Sequence, residues 1–124
     1  MIKISPLESE EQIKSFYLSK NIKYESNCGC VIAQSGEEIL GYCAYLLKDS
    51  ITLNKIEPCD DIMLADGILR SALHVAEFNG ITQAYYGDDA PADLFKKLDF
   101  ISDYEKRMLN IEKLHESCCN CKKI

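Results

Sequence analysis

The chain has 124 residues, of which 47% are hydrophobic and 27% charged, and this composition is typical of one folded domain rather than of a disordered or fibrous protein. Its 20 acidic residues exceed its 14 basic ones, so the net charge of -6 repels phosphate backbones and anionic lipids, and we expect neither nucleic acid nor membranes as partners. Because no apolar run approaches the ~18 residues of a membrane span and the first residues do not resemble an export signal, we expect a cytoplasmic protein.

The first half of the chain predicts one helix and four strands. The pattern Ser9-Glu10-Glu11-Gln12 is typical of a capping box, so a helix is expected to begin there. A short polar turn at residues 35–37, with glycine at its centre, joins two β-rich runs and predicts a hairpin. A further alternating run ends at Glu57-Pro58 and extends the hairpin into an antiparallel meander. The predicted strands cover residues 1–7, 28–34, 38–47 and 51–56.

The second half predicts two helices and three strands. The longest periodic segment predicts a helix that Asp60 or Asp61 can cap and that stops at Asn79-Gly80. Its apolar stripe consists of Ile62, Ala65, Leu69, Ala72 and Ala76. The elements that follow are a strand over 81–86, a helix over 92–98 and strands over 100–101 and 107–111. The predicted order is β-α-β-β-β-α-β-α-β-β, with one domain over residues 1–112 and a cysteine-rich C-terminal tail over residues 113–124.

This order resembles that of the GNAT N-acetyltransferases, over about residues 1–112. Two segments carry the resemblance: the strand–helix unit at residues 58–80, and the run Leu94-Phe-Lys-Lys-Leu-Asp-Phe100, which is similar to the family's Leu-Tyr-x-Lys-Leu-Gly-Phe pattern. The resemblance implies an α/β (α+β) fold with a mixed, mostly antiparallel sheet flanked by helices, and acetyl-CoA bound where two central strands diverge. It also implies acetyl transfer to a small-molecule or protein amine. Residues 21–27 are too few for the family's second helix, so the acceptor cleft is either open or completed by a second copy in a homodimer.

The family's CoA-binding loop, Gln/Arg-x-x-Gly-x-Gly/Ala, falls on Asp60, Met63 and Ala65, of which only Ala65 matches. The cofactor contacts that the resemblance implies are Ile56, Pro58, Met63, Leu64, Ala65, Asp66, Gly67 and Asp88. Asp60 and Asp61 would lie beside the diphosphate, and at a separation of roughly 6 Å each like-charge pair costs about 1–3 kcal/mol. We therefore expect acetyl-CoA to bind weakly or not at all. The same aspartates can also serve simply as helix caps.

The resemblance implies two catalytic positions. Glu57, at the end of a predicted strand, is the candidate general base that would act on the acceptor amine. Phe95 occupies the position of the family's tyrosine acid and has no proton to give. A second hypothesis is therefore a catalytically silent module with the same fold that binds a ligand or a protein.

A third hypothesis rests on the seven cysteines of the chain. Thiolates and an imidazole can form a tetrahedral zinc site, and the candidates are Cys28, Cys30, His115, Cys118, Cys119 and Cys121. Neither cluster has the C-x2-C spacing that brings two sulfurs to one ion easily, so we assign no metal site. Redox pairing of the tail thiols stays open as an alternative to ordinary reduced cysteines.

Overall fold

The computed structural model describes residues 1–88 and 90–116, in which seven strands form one sheet flanked by helices. The strands are β1 (Lys3–Pro6), β2 (Cys28–Ser35), β3 (Glu38–Leu47), β4 (Ile51–Glu57), β5 (Ala84–Tyr86), β6 (Ile101–Asp103) and β7 (Met108–Leu109). The helices are α1 (Glu10–Ser19), α2 (Ile62–Phe78), α3 (Ala92–Lys97) and α4 (Lys113–Glu116). No helix among these residues has both the length and the apolar composition that a bilayer crossing requires.

The sheet order is β1-β2-β3-β4-β5-β7-β6. Every neighbouring pair of strands is antiparallel except β4 and β5, which run parallel and are connected through α2. A parallel pair needs such a crossover, whereas tight turns suffice for the antiparallel meander from β2 to β4. The mixed, mostly antiparallel sheet and the predicted order up to β7 are confirmed.

Helix α2 covers one face of the sheet and buries the larger of two core clusters. Its buried residues are Ala65, Ile68, Leu69, Ala72, Leu73 and Ala76. Each leucine or isoleucine buried in this way stabilises the fold by about 1.5–3 kcal/mol. The smaller cluster contains Tyr17 of α1 together with Cys30 and Ile32, which alternate along β2 with residues of the larger cluster. Because side chains alternate between the faces of a strand, α1 covers the face opposite α2.

The C-terminal end of α2 is fixed by local hydrogen bonds. Gly80 has a φ of +74° and donates to the oxygen of Glu77 at 3.0 Å, while the amide of Ile81 donates to the oxygen of Ala76 at 2.9 Å. These two bonds form a Schellman motif, which confirms the predicted helix stop. Because Ile81 belongs to the helix ending, the next strand begins at Ala84 and not at residue 81 as predicted.

The domain continues past the predicted boundary at residue 112. Residues 113–116, which the sequence assigned to the tail, form α4, and Leu114 is buried in the core beneath α2. Lys113 adds an ion pair to Asp99 at 3.1 Å. Packing therefore extends at least to Leu114, and the remainder of the predicted tail, residues 117–124, lies outside the described residues.

Tyr17 anchors α1 to the sheet through a buried hydroxyl group. Its side chain is 1% exposed, and its Oη donates to the backbone oxygen of Gly29 at 2.6 Å and lies 3.1 Å from that of Tyr45. Burial raises the pKa of Tyr17 well above its usual value, so the phenol remains a donor. Tyr24 packs edge-on against the Tyr17 ring, with centroids 5.8 Å apart, and turns its own hydroxyl to the exposed Glu10.

We predict that Tyr17→Phe lowers the free energy of unfolding by about 1–3 kcal/mol, because it removes the hydroxyl donor from buried carbonyl oxygens. Tyr24→Phe is the matched control, since it removes an exposed hydroxyl and keeps the ring, and we expect it to change stability by less than about 0.5 kcal/mol. Urea unfolding measures both variants. Equal losses would contradict the anchoring role of the Tyr17 hydroxyl.

Candidate functional site

Strand β4 has a β-bulge at Asn54. On the neighbouring strand β3, Ala44 pairs with Lys55 and Tyr45 pairs with Leu53, so Asn54 is an extra residue in the ladder. A bulge bends its strand and increases the local twist. The second half of β4 is therefore directed away from the line of its first half.

The parallel pairing of β4 and β5 ends beside this bulge. It covers Ile51 to Leu53 of β4, and the amide of Gly87 then donates a hydrogen bond to the oxygen of Leu53 at 3.0 Å. Among the described residues, no β4–β5 pair continues over residues 54–57. The space between the two chains beyond the last pair is called here the gap.

A polar cavity of about 550 Å³ adjoins the gap. It is lined by Asn54 and Lys55 of β4, by Lys23 and its neighbours in the loop after α1, and by Asp88 after β5. Asp88, an expected CoA contact, forms an ion pair with Arg107. The cavity therefore offers charges of both signs to a ligand.

Asn54 itself occupies the start of the gap. A β-carbon added at Gly87 would lie 2.6 Å from Oδ1 of Asn54, so the amide lies against the bare backbone of the glycine. Any larger residue at position 87 would displace this amide. The glycine therefore allows the side chain of the bulge residue to lie between the two strands.

A second cavity, of about 300 Å³, surrounds Glu57 and is called here the Glu57 pocket. Tyr42, which pairs with Glu57 across β3 and β4, donates its hydroxyl to Oε2 of Glu57 at 3.1 Å. Lys55 Nζ lies 3.7 Å from the same oxygen. Burial, followed by the hydrogen bond and charge of Glu57, raises the pKa of Tyr42, so the phenol stays a donor to the carboxylate. Glu57 is three residues past the bulge, which corresponds to about 10 Å along a strand.

Lys20 also lines the Glu57 pocket, and sequence reasoning gave it no role. Its Nζ lies 5.3 Å from the ring centroid of Tyr42 and 5.7 Å from that of Phe16. The two rings meet edge to face with centroids 5.0 Å apart. The spacing of four residues between Phe16 and Lys20 on a predicted helix indicates one contact, but the approach of Tyr42 depends on the sheet.

The N-terminus of α2 is capped by its own sequence. Asp61 is the N-cap, and its side chain accepts a hydrogen bond from the amide of Leu64 at 3.1 Å. The adjacent Asp60 is exposed, and Met63 in the first turn is 87% exposed. A carboxylate thus satisfies an amide that would otherwise be free to bind a phosphate, and the capping role of Asp61 is confirmed.

Several of the expected CoA contacts lie at positions that pack within the fold. Ile56 and Ala65 are buried in the core under α2. Both carboxylate oxygens of Asp66 accept hydrogen bonds at 3.0 Å from Nε of Arg70, which lies one turn further along the helix. A β-carbon at Gly67 would lie 2.9 Å from Cδ1 of Ile4, so this glycine lets β1 approach α2 closely.

The remaining expected contacts lie near the loop from β4 to α2. Pro58 is half-buried and lines the Glu57 pocket, and Leu64 is half-buried with its amide engaged by Asp61. Their side chains belong to two environments, a pocket wall and a helix start. The structure therefore separates the set that the resemblance implies into packing residues and residues near the gap.

Phe95, at the position of the family's tyrosine, is fully buried. Its ring lies against Tyr86, with centroids 5.2 Å apart, in the core under α2. Phe95 therefore packs α3 against β5. A proton donor for a leaving thiol would have to come from another group.

The described residues contain no group of three or more His, Cys, Asp or Glu side chains that could hold a metal ion. Cys28 and Cys30 share one face of β2, because alternate residues of a strand lie on the same side, but Cys30 is fully buried and burial raises its pKa to about 12. Cys43 is likewise buried, with its pKa raised well above the usual value by burial. The other proposed ligands, the His115 side chain, Cys118, Cys119 and Cys121, lie outside the described residues.

Comparison with solved structures identifies the fold. A protein from Desulfovibrio desulfuricans that is assigned to the GNAT acetyltransferase family aligns with a TM-score of 0.58 at 12% identity, over 82% of this chain and 85% of that one. The ribosomal-protein-S18-alanine N-acetyltransferase of Escherichia coli aligns with a TM-score of 0.55 at 14% identity, over 87% and 88%. A ribosomal-protein-alanine N-acetyltransferase from Brucella melitensis aligns with a TM-score of 0.58 at 10% identity, over 84% of this chain and 95% of that one.

The likeness is one of structure and not of sequence. No family model matches the chain, and the search of curated proteins finds no match either. At identities of 10–14% the alignments establish the fold alone. The chain therefore has the GNAT fold, with a divergent sequence.

We predict that Asp61→Ala lowers the free energy of unfolding by about 1 kcal/mol, because the cap of α2 is lost. Asp61→Asn keeps a capping oxygen and should stay within about 0.5 kcal/mol of the original protein, as should Asp60→Ala. Urea unfolding of the three variants measures this. If Asp60→Ala cost as much as Asp61→Ala, the assignment of the cap would be wrong.

Cysteine labelling should follow burial. At pH 8, iodoacetamide is expected to alkylate the exposed Cys59 at least about tenfold faster than Cys30 and Cys43, because those two thiols are enclosed in the core. Peptide mapping by mass spectrometry distinguishes the three sites, and denatured protein is the control in which all three should react. Fast labelling of native Cys30 would contradict the buried position.

Proposed function

We propose that the chain is a GNAT-like acyltransferase that passes an acyl group from an acyl thioester, acetyl-CoA in the first instance, to an amine. The observation that carries this proposal is the end of the β4–β5 pairing at the Asn54 bulge, with a polar cavity beside it. A gap through the middle of a sheet lets a thioester on one side meet an acceptor on the other, and the bulge leaves backbone polar groups unpaired at that point. The shared fold supports the same assignment, which for such low identities is an analogy.

In the transfer step, the amine nitrogen attacks the thioester carbonyl carbon, the carbon–sulfur bond breaks, the thiol leaves and the amine loses one proton. Much of the rate in such a reaction comes from holding the two reactants together. Glu57 is the candidate acceptor of the proton. Its distance of about 10 Å along β4 from the bulge exceeds the reach of one bridging water, so the geometry favours Glu57 as a group that holds a second, cationic group of the acceptor. The attacking nitrogen itself is neutral, and its proton leaves with the thiol.

The fit to the diphosphate of CoA is poor. Asp61 already caps α2, Asp60 adds a second carboxylate beside it, and Met63 stands where the family has glycine. Negative charges at a helix N-terminus repel an anion that the helix would otherwise attract. We therefore propose that acetyl-CoA binds weakly, or that the donor is an acyl thioester with fewer phosphates.

We predict that the double variant Asp60→Asn/Asp61→Asn binds CoA at least about tenfold more tightly than the original protein, because two carboxylates beside the diphosphate are neutralised while the cap is kept. Calorimetric titration with CoA measures the change. Asp49→Asn neutralises one carboxylate in the turn before β4, at the far end of that strand, and should bind CoA as the original protein does.

Two outcomes of that titration would count against the proposal in different ways. Saturable micromolar binding by the original protein would refute the acidic-entrance argument. No binding by any variant at millimolar CoA would refute transfer from CoA. Release of free thiol from acetyl-CoA in the presence of mixed amines is the direct assay of turnover.

A second candidate function is a catalytically silent module that binds an amine or a protein in the same cleft. The buried Phe95 and the self-capped α2 favour it, since each removes a group that a transferase with this fold would use. Amine binding without any thiol release would support this alternative. The metal or redox hypothesis has no set of ligands among the described residues, and its test is metal analysis of the full chain purified under reducing conditions.

A further inference from the structure

Lys20 is a cation held on two aromatic rings beside a carboxylate. Its Nζ lies 5.3 Å and 5.7 Å from the ring centroids of Tyr42 and Phe16, within the distance at which an ammonium is attracted to an aromatic face. The same pocket contains Glu57, which accepts a hydrogen bond from the hydroxyl of Tyr42. Two ring faces and a carboxylate are the groups that bind alkylammonium ions in proteins.

The backbone that carries the Lys20 ammonium is fixed by hydrogen bonds. Lys20 is the C-cap of α1, and its backbone amide is hydrogen-bonded to the oxygens of Phe16 and Tyr17 at 3.1 Å. The backbone at Lys20 therefore cannot move away while α1 is folded, although the side chain is exposed. A tethered group of this kind competes with a free ligand at a high effective concentration.

Space for an apolar body lies next to the ammonium position. A cavity of about 400 Å³ between α1 and the sheet has an apolar side formed by Phe16, Leu7, Ile32 and Ile39, and its other lining residues are the polar Glu11, Gln12, Ser15 and Ser19 of α1. Ile39 lines both this cavity and the Glu57 pocket, so the two spaces adjoin. Ile39 is 45% exposed, which leaves apolar surface available to a ligand.

We propose that Phe16, Tyr42 and Glu57 form a binding site for a primary alkylammonium ion, and that Lys20 occupies this site as an internal competitor. The ligand places its ammonium where Lys20 Nζ lies and its alkyl chain along Ile39 and the adjacent cavity. This inference rests on the proposed function in one respect, that the bound cation belongs to the amine acceptor. The site is separate from the gap at Asn54, so the ammonium bound here anchors the acceptor and is not the nitrogen that receives the acyl group.

The test is an NMR titration with hexylammonium chloride, which follows the backbone amides of Tyr42 and Glu57. Replacing Lys20→Met removes the competing cation and keeps the length of the side chain, and we expect the probe to bind about three- to tenfold more tightly. Lys20→Arg retains a cation and should bind as the original protein does. Lys14→Met is the matched control, because it makes the same charge change at another exposed position of α1.

Three results would overturn the proposal. They are an unchanged affinity in Lys20→Met, an equal gain in Lys14→Met, and an equal gain for the uncharged probe 1-hexanol. Adding Glu57→Gln to Lys20→Met should reverse most of the gain, since the carboxylate is lost while the shape is kept. No CoA is present in this titration, so failure of CoA binding would refute the acyltransferase proposal and leave this one standing.

Discussion

The extra residue at Asn54 is the constraint on which the arrangement of the site depends. Backbone amides and carbonyls in a sheet must be paired or meet water, so a strand that gains one residue on one side has to bend. In β4 this bend comes after only three residues have paired with β5. Beyond this point β4 pairs with β3 and no longer with β5 among the described residues. The polar cavity lies beside this point, and Glu57 lies on the part of β4 that follows it.

The two faces of the sheet then have different electrostatic roles. On the side of α2, the helix N-terminus carries Asp60 and Asp61, and the dipole that could hold a phosphate is satisfied by the helix's own cap. On the side of α1, Glu57 faces aromatic rings and a lysine. The molecule as a whole has a net charge of -6. Such a distribution attracts cations and repels polyphosphates.

The core accounts for the fold of a sequence that is only 10–14% identical to the solved structures it resembles. Helix α2 presents small and aliphatic residues to the sheet in a strict helical period, and Tyr17 fixes α1 to the other face through one buried hydroxyl. Phe95 packs α3 against Tyr86 of β5, and Gly67 lets Ile4 of β1 approach α2 closely.

The sequence by itself determined what depends on neighbours in the chain: the helical stripe of α2, its cap at Asp61 and stop at Gly80, the hairpin of β2 and β3, and the shared face of Cys28 and Cys30. Tertiary structure alone decided the bulge at Asn54, the burial of Phe95 and Leu114, and the meeting of Lys20, Tyr42 and Glu57. The physical reason is the number of residues along the chain that separates the interacting groups. Periodicity and capping act over three or four residues, whereas the strand register and side-chain contacts named above join residues 8 to 37 positions apart, and their pairing is set by how the whole core fills.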